Sequence, residues 1–85
     1  MNEIKLTFSD AEIVAELRKL GAVVEERSVT KWIREESYQV WIWQVQKVDG
    51  NWIDAIPVFR ELVIMGLCRG VFNKLSKLDL LDIIK

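Results

Sequence analysis

The chain has 85 residues, 51% hydrophobic and 29% charged, with a formal net charge of -1 at pH 7 and no histidine. Such a length predicts one domain, 1–85, that buries only about 60 to 65% of its unfolded surface, and the composition is that of a folded chain rather than a disordered one. The near-neutral charge gives no electrostatic pull toward nucleic acid or an anionic membrane, the lack of histidine removes the commonest metal ligand and general base, and a single cysteine, Cys68, excludes an internal disulfide and a multi-cysteine zinc site.

From the N-terminus, Ile4, Leu6 and Phe8 alternate with Lys5 and Thr7, which predicts a short strand over Glu3 to Phe8. MNEIKLTF holds no apolar run of the kind found in a signal peptide or a membrane span. With the lone thiol, this predicts a cytoplasmic protein in a reducing compartment. Ser9 followed by Glu12 is a capping-box pair, so a helix is predicted over 10–20 with Ile13, Val14, Leu17 and Leu20 inward. Asp10 and Glu12 lie at its positive end, Arg18 and Lys19 at its negative end. Gly21 is placed to end it in a left-handed conformation.

Two periods compete between Ala22 and Glu36. Val29, Trp32, Ile33 and Glu36 are spaced three and four apart, which favours a helix from Ser28 to Glu36 after a short strand at Ala22 to Val24. The rival is a continuous strand from Ala22 to Ile33, supported by the β-branched Val23, Val24, Val29, Thr30 and Ile33. That reading would make a sheet of four strands with helices on one face.

The stretch YQVWIWQVQKVDGNWIDAI, Tyr38 to Ile56, organises the rest of the chain. It holds three of the four tryptophans and an Asp49-Gly50 turn between alternating residues, a strong β-hairpin pattern. Side chains alternate along a strand, so Trp41, Trp43, Val45 and Lys47 share one face and Tyr38, Val40, Ile42, Gln44, Gln46 and Val48 the other. A two-residue turn adds Trp52, Asp54 and Ile56 to the first face and Asn51, Ile53 and Ala55 to the second, whereas a three-residue loop swaps those assignments.

Beyond the hairpin, Pro57 sits where the first turn of a helix tolerates proline. A helix over 56–69 is predicted, with Asp54 as a possible cap. Its most polar stripe, Pro57, Arg60, Glu61, Ile64 and Cys68, still contains two apolar residues. A helix that is apolar nearly all round needs covering nearly all round, and a second copy or another partner would supply part of the cover. Ser76 with Asp79 marks the start of a last helix over 77–84, bearing Leu78, Leu81 and Ile84 with Leu80 and Ile83 alongside. The predicted fold is therefore α+β: an antiparallel sheet built on the hairpin of 38–56, one N-terminal helix and two C-terminal helices.

No catalytic constellation appears, and no enzyme activity, cofactor or metal is expected. Cys68 has no histidine to make it a thiolate, and in its apolar run it reads as a small packed hydrophobe. Glu25-Glu26 and Glu35-Glu36 are adjacent pairs whose side chains diverge, and they read as solvated charges. The tryptophans could stack bases, but Lys47 is the only cation in their hairpin; core and protein interface are the stronger reading.

ERSVTKWIREE, Glu26 to Glu36, resembles the second helix of winged-helix excisionases and MerR-type regulators. By that resemblance LTFSDAEIVAELRKLG is the first helix, 38–56 the wing and PVFRELV the following helix. It implies DNA binding through a helix at 27–36, with Arg27, Ser28, Thr30, Lys31 and Arg34 at the nucleic acid. Glu25, Glu26, Glu35 and Glu36 set opposing charge around those cations, and phosphate neutralisation dominates such affinity. The favoured expectation is a non-enzymatic protein-interaction module, a homodimer or the binder of another macromolecule. It presents Tyr38, Val40, Ile42, Ile53, Ile64 and Cys68 once the face of Trp41, Trp43 and Trp52 is covered from within.

Overall fold

In the computed structural model, which describes residues 8–68, 70 and 75–85, the element order is α1 (Asp10–Lys19), β1 (Val24–Ile33), β2 (Glu36–Gln46), β3 (Trp52–Asp54), α2 (Ala55–Cys68) and α3 (Lys77–Ile83). The fold is α+β, a three-stranded antiparallel sheet of order β1-β2-β3 with one helix before it and two after it. The strand predicted for Glu3 to Phe8 falls outside the described residues except at Phe8, whose ring meets Phe59 edge-on at 4.9 Å.

α1 forms as its ends dictate. Ser9 Oγ accepts from the Glu12 backbone N–H and Glu12 Oε1 accepts from the Ser9 N–H, both at 3.2 Å, which satisfies two of the donors a helix start leaves open. At the other end Gly21 adopts φ +93°, its N–H donating to Arg18 O and that of Ala22 to Leu17 O, the paired bonds of a Schellman motif. The chain is thus turned back toward the sheet, where Arg18 Nη2 donates to Val24 O at 2.8 Å.

The core lies between one sheet face and the helices. It comprises Ile13, Val14 and Leu17 of α1, Val24 and Val45 of the sheet, Ala55, Val58, Phe59 and Leu62 of α2, with Leu80 and Ile84 at the C-terminal end. Burying one such side chain fully is worth roughly 1.5 to 3 kcal/mol. α2 buries all but a single stripe, since Pro57, Arg60, Glu61, Ile64 and Cys68 are its exposed residues. That is the stripe the sequence marks as most polar. Cys68 is accordingly exposed, not packed as expected. α3 turns Leu80 and Ile84 inward and leaves Leu78 and Leu81 exposed, so its buried line is displaced from the predicted Leu78-Leu81-Ile84 stripe. Ile84 O also accepts from the Val48 N–H at 2.9 Å, tying this end of the chain to the β2–β3 connection.

Two expectations are corrected. The helix predicted over Ser28 to Glu36 is the outer part of β1, paired residue for residue with β2 from Val24↔Val45 to Ile33↔Glu36. The principal hairpin is therefore β1–β2, closed at Arg34 and Glu35 with φ of 51° and 69°. Two successive positive φ values make a type I′ connection. The second concerns register: of the two loop lengths left open, the longer is found, which corrects the grouping of Ile53 with Tyr38 and of Trp52 with Trp41. β3 pairs through Gln44↔Asp54, Val45↔Ile53 and Gln46↔Trp52; Lys47 and Asn51 face each other, Gly50 N–H donates to Lys47 O at 3.0 Å, and Gly50 has φ +93°. The connection is the three-residue loop Val48 to Gly50, so Ile53 joins the face of Trp41, Trp43 and Val45, while Trp52 and Asp54 join Tyr38, Val40, Ile42 and Gln44. The left-handed glycine lets that loop match the strand twist without a two-residue turn.

Candidate interaction surface

β3 is only three residues long, and at Ala55 the chain leaves the sheet for α2. From there outward β1 and β2 continue alone, from Glu26↔Trp43 to Ile33↔Glu36, a two-stranded arm about 23 Å long at strand rise. The radius of gyration, 14.3 Å, exceeds the roughly 12 Å of a compact chain of this length.

The arm has two faces; Trp43, at its root, packs against the core, and the residues beyond it on either face are not among the core residues. On the first face, which nearer the helices supplies Val24 and Val45, lie Trp41 and Trp32, 68% and 72% exposed. Between them the Gln39 amide is drawn back onto β1: its Nε2 donates to Thr30 Oγ1 at 2.8 Å and its Oε1 accepts from Ser28 Oγ at 3.0 Å. On the second face Ile33 and Tyr38 are 59% and 45% exposed, with half-buried Val29, Val40 and Ile42 between them and the base. The Tyr38 hydroxyl donates to Glu36, which raises its pKa. Near the base this face is sealed by polar groups: Gln44, 8% exposed, accepts from Arg27 Nη1 at 3.3 Å and donates to Asp54 Oδ1 at 3.1 Å. Asp54 also accepts from Lys31 at 3.5 Å, and the Arg27 guanidinium lies 4.6 Å from the centre of the Trp52 ring. Asp54 is thereby committed to the sheet rather than to capping α2.

The structure distributes the predicted interface residues over three places. Tyr38, Val40 and Ile42 share the second face of the arm. Ile53 lies on the first face, packed against the core. Ile64 is 52% exposed but sits on α2 with Cys68, about 10 and 16 Å along the helix from Pro57 at its standard rise. The residues predicted for DNA are also divided. Arg27 and Lys31 lie on the second face and are engaged with Gln44, Trp52 and Asp54, Ser28 and Thr30 lie on the first, and Arg34 forms the tip. Without a helix at 27–36 there is no recognition helix of the winged-helix kind. Glu25, Glu26, Glu35 and Glu36 are exposed, as their adjacent spacing predicts.

Sequence reasoning missed Trp32, Ile33 and Trp41 as exposed groups, and it missed the edge of β2, which among the described residues is open beyond β3. The Gln46 N–H donates to Val23 O, which fixes the alternation: even-numbered residues of β2 exchange bonds with β1, and odd-numbered ones turn their N–H and C=O to the other side. β3 takes up that side at Val45, and Lys47 N–H reaches Asn51 O. Ser37, Gln39 and Trp41 lie beyond the end of β3 and direct their backbone groups outward. Where β3 ends, a notch of about 240 Å3 opens against the edge, lined by Asp10, Glu26, Lys31, Trp43, Asp54 and Pro57 among others. The signal for this edge was available, because Ser37 to Gln46 contains no charged residue.

Among the described residues no group of three or more Cys, Asp or Glu is placed to hold a metal ion, and no helix is long and apolar enough to cross a membrane. No family model matches this chain, and no curated protein and no solved structure matches it either. Function has to be read from the geometry.

Proposed function

We propose that this protein is a non-enzymatic interaction module that associates with itself and acts by occupying a surface of another macromolecule. The observation that supports this reading is the arm, a two-stranded ribbon standing away from the core with Trp32, Ile33, Tyr38 and Trp41 in water. An isolated two-stranded ribbon is marginal on its own, and large apolar side chains exposed on both of its faces mark an interaction site. Large aromatic side chains supply most of the binding energy in such sites. The polar seal of Arg27, Gln44, Asp54 and Lys31 directs that energy toward the outer arm.

The test is the absolute mass in solution, by light scattering behind a sizing column, over a range of concentrations at low and high salt. A dimer that survives high salt and dissociates on Trp32→Ser or Tyr38→Ser is the expected result. Monomeric protein at every concentration removes self-association, and a dimer lost at high salt removes the apolar contact as its basis.

A further inference from the structure

Resting on the reading of the arm as an interaction surface, we infer that the occupant of the open β2 edge is a second copy of this chain, joined antiparallel about a two-fold axis through Gln39 so that two arms form one four-stranded ribbon, β1-β2-β2-β1. Three observations converge on that arrangement.

The first is the difference between the two edges of the ribbon. The outer edge of β1 is flanked by the charged Glu25, Glu26, Arg27 and Lys31, the usual guard against edge-to-edge pairing. The β2 edge has no charged residue from Ser37 to Gln46, no proline and no bulge. Its outward backbone groups at Ser37, Gln39 and Trp41 are set two residues apart, as an antiparallel ladder requires. The Gln39 side chain is held back by Ser28 and Thr30, leaving the backbone beside it open.

The second is self-complementarity in register. With Gln39 on the axis, Ser37 faces Trp41 of the second copy, Tyr38 faces Val40, and Glu36 faces Ile42. No like charges are opposed, and the second faces of the two arms merge into one apolar strip. Aromatic against β-branched is among the favourable cross-strand pairs. A C2 interface requires this kind of self-matching, one patch meeting its own copy.

The third is the notch. Trp43 lies four residues from Gln39 in one direction and Glu35 four in the other. The same register therefore carries the Arg34-Glu35 tip of each arm to the place where the other copy's β3 ends. The notch there carries the carboxylates of Asp10, Glu26 and Asp54 against the single cation Lys31, a charge balance suited to the incoming Arg34.

The experiment measures dimer dissociation by concentration-dependent mass on the full chain with two substitutions, and oxidative cross-linking with two cysteine variants. Gln39→Pro removes both N–H donors on the axis without touching the β1–β2 ladder, and dimerisation is expected to weaken on the order of a hundredfold. Arg34→Glu, at the notch, is expected to weaken it severalfold. Gln39→Cys in a Cys68→Ser background is expected to cross-link the dimer under mild oxidation, because directly paired strands hold Cα atoms about 5.5 Å apart. Thr30→Cys, level with Gln39 but on the guarded β1 edge, is not. A dimer indifferent to Gln39→Pro and not cross-linked through position 39 overturns the edge pairing while leaving an aromatic-face module intact. Monomer at all concentrations overturns both this pairing and self-association, and circular dichroism of Gln39→Pro shows whether a lost dimer reflects a lost fold. If that variant unfolds, the cross-link alone decides.

Discussion

The base of the sheet and the arm are made from the same two strands, yet everything that surrounds them differs. At the base, Val24 and Val45 face each other under three helices, β3 closes the edge of β2, and the opposite face is sealed by hydrogen-bonded Gln44 and its partners. In the arm beyond Trp43 the same ladder continues with no third strand among the described residues and two tryptophans in water. Strand pairing alone therefore fixes the shape of the arm, whereas packing fixes the base. The energetic weight of a residue should depend on which side of the boundary near Trp43 it stands, not on its size.

The largest test of that contrast sets Leu17 against Trp32. Leu17 is completely buried, and Leu17→Ala should lower unfolding free energy by about 2 to 5 kcal/mol. Trp32→Ala removes a larger side chain, yet in urea denaturation at concentrations below the dimer dissociation constant it should change stability by no more than about 0.5 kcal/mol. A large loss for Trp32 in the monomer would mean that the arm carries packing of its own.

A smaller effect probes the tip. Arg34 and Glu35 hold left-handed conformations that cost a non-glycine residue of order 1 kcal/mol, and the ladder on both sides leaves them no choice. Glu35→Gly should therefore stabilise the protein by about 1 kcal/mol, measured by the same denaturation. No gain would mean that glycine's greater unfolded-state freedom cancels the relief.

The smallest effect belongs to the β2–β3 loop. The Asp49 carboxylate accepts from the Asn51 backbone N–H at 2.9 Å and lies 3.6 Å from Lys47, and the first of these chiefly holds its pKa below the ordinary value of 3.8. A group depressed on folding contributes stability above its unfolded pKa and loses it as pH falls through the folded one. A slight decline below about pH 4 should follow, and Asp49→Ala should remove that part of the acid limb. The side chain is half-exposed, so solvent keeps the effect small.

Where a buried face organised an element, its pattern could be read directly. The Ser9–Glu12 box, the left-handed Gly21, Pro57 in the first turn of α2 and the exposed stripe of α2 were all legible, because each is set by a local backbone need or by one-sided burial. β1 was not. Its outer part has no buried face to impose a period of two, so the chance spacing of Val29, Trp32 and Ile33 imitated a helix. Its turn lacks the Asn-Gly or Asp-Gly that normally announces a type I′ hairpin, whereas Asp49-Gly50 announced a turn correctly but not its length. The candidate surface was half legible for the same reason. Tyr38, Val40 and Ile42 share a face by simple alternation, but Trp41 emerges from cover only because β3 stops at Asp54, and that is a tertiary fact.

The four tryptophans are divided by the boundary between base and arm. Trp43 and Trp52 are half-buried beneath Arg18 and Arg27, with guanidinium carbons 5.7 and 4.6 Å from their ring centres, while Trp32 and Trp41 stand in solvent. The indoles thus form two optical populations, one close to cationic groups and one red-shifted and open to collisional quenchers. Covering the arm changes only the second. The emission of the unlabelled chain can therefore distinguish an occupied arm from an empty one.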